Sequence, residues 1–370
     1  MTSASRAPGA GASPEGAAPG LPPGFRWPAE WEAHEATWLS WPHNPETWPG
    51  CLAAAEGEYV EIVRALAGRE RVRIDVRDAG MEDAVRRTLA AAGVPDAGVE
   101  LFHHPTNDAW VRDHGPIFAV RDRAGARERL VLDFGYDAWG GKYPPYDLDD
   151  AIPRRVADAL GLPRLEPGFV LEGGSIDGDG AGTVLTTDSC LLKPTRCRPG
   201  EAERTRAEME RRLAAWLGAR RVVWLGGEVA GDDTDGHIDD LARFAAPGVV
   251  VAAVEPDPSD ANHAPLADNL RRLRAARDAC ERAFDVVELP MPPPVVWRGE
   301  RCPASYANFY LANGAALVPV FGAPQDARAL AVLRELWPDR DVVPVPARHL
   351  VVGLGAVHCL TQQEPHAAAP

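Results

Sequence analysis

Strand-like and helix-like runs alternate along almost the whole of this sequence, and that alternation limits its possible folds more than any single residue does. Tyr59, Ile62, Val63 and Leu66 are spaced for one face of a helix, and Val72, Ile74 and Val76 follow at the period of two of a half-buried strand. Further helices are predicted over about 81–92, 148–160, 201–217, 266–282 and 325–336. Strands are predicted over 116–120, 129–134, 168–172, 183–187, 221–225, 248–254, 285–289, 316–320 and 341–345. Such a chain is α/β. The last five predicted helices have midpoints near 87, 154, 209, 274 and 331, a recurrence of roughly 60 residues that suits a module repeated about five times. No similarity between modules is visible in the residues themselves, and ordinary α/β alternation produces such spacing too.

Residues 1–24 stand apart, being Ala, Gly, Pro and Ser with almost nothing to bury, and read as a disordered tail. From Phe25 onward the character changes. Trp27, Trp31, Trp38, Trp41 and Trp48 crowd one stretch, where aromatics at that density mean packing. A chain of 370 residues buries enough surface to fold without disulfide or metal staples. With 54 acidic and 39 basic residues it carries a net charge of −15, which argues against nucleic acid or an anionic membrane as the main partner and is compatible with a cationic substrate. No apolar stretch reaches the ~18 residues of a membrane span, and the N-terminus has no apolar secretory core, so a soluble, cytoplasmic protein is expected. Lys142 and Lys193 are the only lysines, which leaves Schiff-base chemistry almost no candidates.

The six cysteines, at 51, 190, 197, 280, 302 and 359, form no CxxC pair, so neither a structural zinc site nor a disulfide framework is expected. Most should be small buried hydrophobes. In Asp177–Asp188 the carboxylates fall partly at calcium-loop offsets, but Ala181 replaces a ligand and the flanks read as strands. A β-hairpin with a Gly/Asp turn explains that segment better.

Five short segments carry more chemistry than their surroundings: NDAWVRDHGP (107–116), LEGGS (171–175), DDTDGHIDD (232–240), PASYANFY (303–310) and GLGAVHCLTQQ (353–363). Singly, each has a bland explanation. Asp113 serves as a turn cap, Glu172 as a solvated strand end, His237 as a core histidine and Cys359 as a buried thiol. Together they say more. If the run through His237 continues as a strand into LARF, His237 and Asp239 share one face. Gly353 and Gly355 permit close backbone approach just before Cys359. The chain thus offers a thiol, an imidazole and several carboxylates, with no nucleotide fingerprint and no evident metal site. Several carboxylates around a small site suit a cation. A guanidinium is planar and matches carboxylates through in-plane N–H groups. Its resonance makes the central carbon a poor electrophile, so it needs rigid holding and a thiolate-class nucleophile.

At these residues the sequence resembles the agmatine deiminase family of the guanidine-modifying pentein superfamily, related to bacterial peptidylarginine deiminases. The resemblance is carried by PAEWEAHEATWLSWP (28–42), NDAWVRDHGP, LEGGS with GTVLTT, TDGHIDDLARF (234–244), LPMPPP (289–294), PASYANFYLANG and GLGAVHCLTQQ, in order from Pro28 to Pro365. It implies a five-bladed α/β propeller of ββαβ modules around a central active site, with 25–366 as a single catalytic domain. It implies Cys359 as nucleophile and His237 as general acid/base. Asp113 and Asp239 would bind the guanidinium, Glu172 would contact it or hold His237, and Trp110 would line the pocket. The implied reaction takes agmatine and water to N-carbamoylputrescine and ammonia, a step of putrescine synthesis, with no cofactor or metal. A homo-oligomer is also implied. Arginine or peptidyl arginine as substrate, and an inactive guanidine-binding pentein, are the alternatives.

Overall fold

The computed structural model describes residues 20–123 and 125–368, so positions 1–19 of the expected tail lie outside the described residues. Residues 20–24 lie against the folded body. The Leu21 amide donates to the Ala215 carbonyl at 2.8 Å, and its side chain packs on the cluster containing Leu213 and Trp216. Gly20 permits this approach, because a Cβ there would stand 2.6 Å from the Ala215 oxygen.

Four times in succession the chain forms an antiparallel strand pair, crosses through a helix and returns parallel to the second strand. The second module comprises Ile117–Arg123, Ala126–Leu132, the helix Ile152–Leu160 and Arg164–Leu165. The third comprises Ile176–Gly178, Thr183–Thr187, the helix Arg206–Leu217 and Arg221–Leu225. Ala242–Ala246, Val249–Val254, the helix His263–Ala275 and Asp285–Pro290 make the fourth. Tyr310–Ala312, Ala315–Val320, the helix Asp326–Leu336 and Asp341–Pro346 make the fifth.

The first module borrows a strand. His34–Ser40, the helix Leu52–Leu66 and the parallel strand Arg71–Val76 need an antiparallel partner, and Gln362–Pro365 supplies it from the far end of the sequence. That pairing closes five ββαβ modules into a ring. The predicted helix near 87 is not one of the five crossovers. It is Ala79–Ala91, an addition to the first module that leads to a further parallel strand, Val99–His103. The true first crossover is Leu52–Leu66, whose buried face holds Tyr59, Ile62, Val63 and Leu66 as their spacing requires.

The sheets explain the strand sequences. Val249–Val254 is a continuous apolar run, as befits the middle strand of a sheet covered by a crossover helix. Trp38, Trp41 and Trp48 are buried, so the tryptophan-rich stretch is packing. Asp177–Asp188 contains the expected hairpin, with Asp179 accepting the amides of Ala181 and Thr183 at 2.8 Å each across its turn. Other expectations are corrected. Residues 168–172 form no strand, since Val170 only bridges Gly135. The helix placed over 201–217 starts at Arg206, where the Thr205 hydroxyl caps the Glu208 amide at 3.2 Å. The one placed over 266–282 ends at Ala275, because Asp278 then draws the Cys280 and Arg282 amides into a turn. Among the described residues no helix is long and apolar enough to cross a membrane.

Candidate active site

Each module enters its first strand through a short turn, and the chemistry-bearing side chains sit in those turns. Asp113 lies in the one-turn helix Val111–His114 before Ile117. Glu172 precedes the 3₁₀ turn Gly173–Ser175, which leads into Ile176. His237 and Asp239 flank Ile238 just before Ala242, and Cys359 comes shortly before Gln362. The fifth module places Asn308 at the equivalent point, before Tyr310.

The strand expected through HIDDLARF begins only at Ala242, and Ile238–Asp240 is a 3₁₀ turn. The cause lies upstream. The Asp232 carboxylate gathers the Thr234 and Gly236 amides at 2.7 Å each, Gly236 adopts φ +96°, and the Thr234 hydroxyl accepts the His237 amide at 3.1 Å. The chain is curled before it can extend. His237 and Asp239 nevertheless reach one centre. A Cβ on Gly174 would lie 2.6 Å from His237 Nδ1, 2.7 Å from Asp113 Oδ1 and 3.2 Å from Asp239 Oδ2. Three modules meet on that glycine, and only a residue without a side chain fits there.

The Asp113 carboxylate is oriented on both sides. Oδ1 accepts the Gly174 amide at 2.9 Å, and Oδ2 accepts the Trp139 indole N–H at 3.1 Å. Burial raises Asp113 to about 6, and the nearby charges of Asp239 and Glu172 add to that rise against the opposing effect of His237. His237 Nδ1 stands 3.7 Å from Asp113 Oδ1, an ion-pair separation rather than a hydrogen bond. Burial alone would lower His237, but Asp113, Cys190 and Asp239 outweigh it and hold the imidazole well above its ordinary value. Neither ring nitrogen of His237 has a hydrogen-bond partner among the described residues.

Asp239 is braced from behind. Its Oδ2 accepts from His358 Nδ1 at 2.7 Å, His358 Nε2 faces Glu30 Oε2 at 2.8 Å, and Arg243 pairs with the same Glu30 oxygen at 2.9 Å. Burial works against ionised Asp239, but His358, His237 and Arg243 together outweigh it and hold the carboxyl below its usual value. On the other side Cys359 Sγ lies 3.6 Å from Asp239 Oδ2. Burial pushes the thiol well above its ordinary value, and Asp239, Asp240 and Asp113 push it further. The free site therefore holds a protonated thiol facing carboxylates.

Glu172 stands beside His237, but its Oε1 is paired with Arg196 Nε at 2.7 Å. Arg196 also donates to Asp235 Oδ2, at 2.7 Å, and to the Trp139 carbonyl, at 2.8 Å. Glu172, Cys190 and His237 offer ligand atoms within 4.8 Å of one another, a set able to hold a metal ion. The Arg196 guanidinium already supplies positive charge at that carboxylate. Trp110 is buried under the loop that carries Cys359. A Cβ on Gly353 or Gly355 would come within 2.8 or 2.6 Å of its ring, so both glycines serve close approach as expected.

Sequence reasoning did not single out Glu30, Trp139, Arg196, Asn308 or His358. Glu30 and Asn308 lie inside motifs that were visible, PAEWEAHE and PASYANFY, and His358 precedes the thiol. Their chemical residue types within otherwise apolar or aromatic segments were the available signal. Arg196 and Trp139 had none, since their partners are distant in sequence.

A closed ring of five ββαβ modules, with a thiol, an imidazole and carboxylates delivered from the module entrances, is the pentein architecture of guanidine-modifying enzymes. The chain belongs to the Porphyromonas-type peptidyl-arginine deiminase family, whose pattern matches residues 26–365. It is 35% identical to the agmatine deiminase of Pseudomonas aeruginosa over 92% of this chain and 96% of that one. Among solved structures it resembles the agmatine deiminase of Enterococcus faecalis, at 31% identity and a TM-score of 0.85, covering 92% of this chain and 96% of the other. It also resembles the C. jejuni agmatine deiminase with substrate bound, at 29% identity and a TM-score of 0.82, covering 93% and 97%.

Proposed function

We propose that the protein is an agmatine deiminase, hydrolysing agmatine to N-carbamoylputrescine and ammonia, with residues 25–366 acting as one catalytic unit. The observation that carries this most is the meeting of Asp113, His237 and Asp239 on Gly174, with the Cys359 thiol 3.6 Å from Asp239. The identity to curated agmatine deiminases along nearly the whole chain supports the same substrate.

The guanidinium edge would be gripped by Asp113 and Asp239. Its positive charge offsets the carboxylates that keep Cys359 protonated, so substrate entry favours loss of the thiol proton to solvent. The thiolate attacks the guanidinium carbon to give a neutral tetrahedral adduct. His237, as imidazolium, protonates one amino group, which leaves as ammonia, and the C–S-linked thiouronium remains. Water then adds to that carbon while neutral His237 takes its proton. Collapse expels the Cys359 thiolate, the hydroxyl proton is released, and the urea product departs. Glu172 and Arg196 would set the position of His237.

A side-by-side assay of ammonia release from agmatine, free arginine and a peptide ending in arginine tests the assignment. Arginine carries a carboxylate that agmatine lacks, and burying it without a partner costs several kcal/mol. Agmatine should therefore lead in kcat/KM by at least about 10²-fold. A second reading, deimination of arginine or peptidyl arginine, is favoured by the family's own description. Equal efficiency for agmatine and arginine, or preference for the peptide, would replace the first reading with the second.

A further inference from the structure

Four modules each bring a reacting-site side chain to the entrance of their first strand: Cys359, Asp113, Glu172 and the His237–Asp239 pair. The fifth brings Asn308, fully buried and in contact with the sulfur. We propose that Asn308 is the fifth module's catalytic side chain, its carboxamide N–H holding the Cys359 sulfur and stabilising the attacking thiolate.

The orientation of the carboxamide follows from its partners. Oδ1 accepts the backbone amides of His358 and Cys359, at 2.9 and 3.4 Å. The NH₂ end must then face the other two neighbours, Asp240 Oδ1 at 3.0 Å and Cys359 Sγ at 3.1 Å. A flipped amide would set its oxygen against a carboxylate and a sulfur and its N–H groups against N–H groups. Both donors are thus committed, one of them to the sulfur. The carboxylates of Asp239, Asp240 and Asp113 all oppose negative charge there. A fixed neutral donor aimed at Sγ favours the thiolate without repelling the substrate cation, as a lysine or arginine in its place would. Asn308 also anchors the nucleophile loop by a second route, since its backbone carbonyl accepts the His358 amide at 3.1 Å. That bond survives any side-chain substitution.

The inference rests on Cys359 being the nucleophile, and the test reads the thiol without requiring turnover. In the full chain, the rate at which iodoacetamide alkylates Cys359 is followed by mass spectrometry of its peptide, from neutral to mildly alkaline pH. Wild type is compared with Asn308→Ala and Asn308→Leu. Loss of the N–H should shift the profile upward by about one pH unit, so alkylation slows about tenfold at any pH below the midpoint, with kcat falling in parallel. The space opened by alanine would admit the reagent more easily, so slowing cannot come from packing. Asn308→Leu keeps the shape and adds no charge while removing the amide donor, the loop staying held through the backbone carbonyl of residue 308, and it decides the matter if the alanine variant does not fold. An alkylation rate unchanged or faster in a folded variant overturns the role of Asn308. Turnover by Cys359→Ser would instead overturn the nucleophile on which it rests.

Discussion

Replacing Asp239 by asparagine should make catalysis worse and the nucleophile more reactive. A full charge 3.6 Å from Cys359 Sγ opposes thiolate formation by about 4–5 kcal/mol at an effective dielectric constant near 20. The hydrogen bond that His358 donates to the same carboxylate at 2.7 Å and the neighbouring Arg243 guanidinium offset much of that charge. A net effect of ~1–2 kcal/mol remains, roughly one pH unit in the thiol. Asp239→Asn removes the charge, keeps an oxygen for His358 and changes little in shape. Iodoacetamide should therefore alkylate Cys359 about tenfold faster at neutral pH. In the same variant kcat/KM should fall at least 10- to 10²-fold, because a charge-assisted grip on the guanidinium, worth ~1.5–3 kcal/mol, is lost. Both rates are taken per folded molecule, with the melting temperature measured alongside. A structural role for Asp239 predicts lower stability with no gain in thiol reactivity. Alkylation that slows or stays constant in a folded Asp239→Asn protein would refute the view that the carboxylates hold the thiol protonated until a cation arrives.

Other consequences are equally direct. Cys359→Ser should lower turnover by several orders of magnitude with the melting temperature retained, because a hydroxyl is far harder to ionise than a thiol, while Cys51→Ser and Cys302→Ser should keep substantial activity in the ammonia assay. Asp113, raised to about 6 by burial, contributes stability at low pH that is lost as pH rises from its unfolded value through its folded one. Asp113→Asn has no charge to acquire, so its melting temperature relative to wild type should climb between about pH 4 and 7, by the equivalent of at most ~3 kcal/mol, and a flat difference would count against the shift. Glu364, with no exposed surface, accepts from Trp38 at 2.9 Å and Arg129 at 2.6 Å, welding the first module to the second. Glu364→Ala should cost ~3–5 kcal/mol in denaturant unfolding by taking the carboxylate away from the buried Arg73, the partly buried Arg129 and the Trp38 N–H, and a loss under 1 kcal/mol would show that weld to be unimportant.

The alternation of strands and helices was legible because each crossover helix carries its own apolar period, as Tyr59, Ile62, Val63 and Leu66 do. The five modules were only half legible. Their recurrence was counted from the helix at 79–91, an addition, because nothing local says that Leu52–Leu66 spans a strand pair completed by Gln362–Pro365. The chemistry-bearing segments stood out by residue type, yet the local geometry of His237 and Asp239 did not. Period-two reasoning treats a run as extended, and here Asp232 and Thr234 had already used side-chain oxygens to bend it. Asn308 acts on partners from other modules, while Trp139 and Arg196 reach Asp113 and Glu172 at 26 and 24 residues' separation, and such encounters are fixed by tertiary packing rather than by any neighbouring residue.

The borrowed strand gives the molecule an order of assembly. Asp113 is synthesised almost 250 residues before Cys359, roughly 10–50 s at ~5–20 residues per second. Through that interval the nascent chain can gather Asp113, His237 and Asp239 with no thiol from residue 359 beside them. Its first sheet meanwhile presents His34–Ser40 as an open edge, a surface on which stray strands can pair. The turn that carries Cys359 and the strand that seals this edge then arrive together, separated by only two residues. A molecule whose ring is open is thus also one whose Cys359 is out of place. A complete site in this fold doubles as a report that the circle has closed.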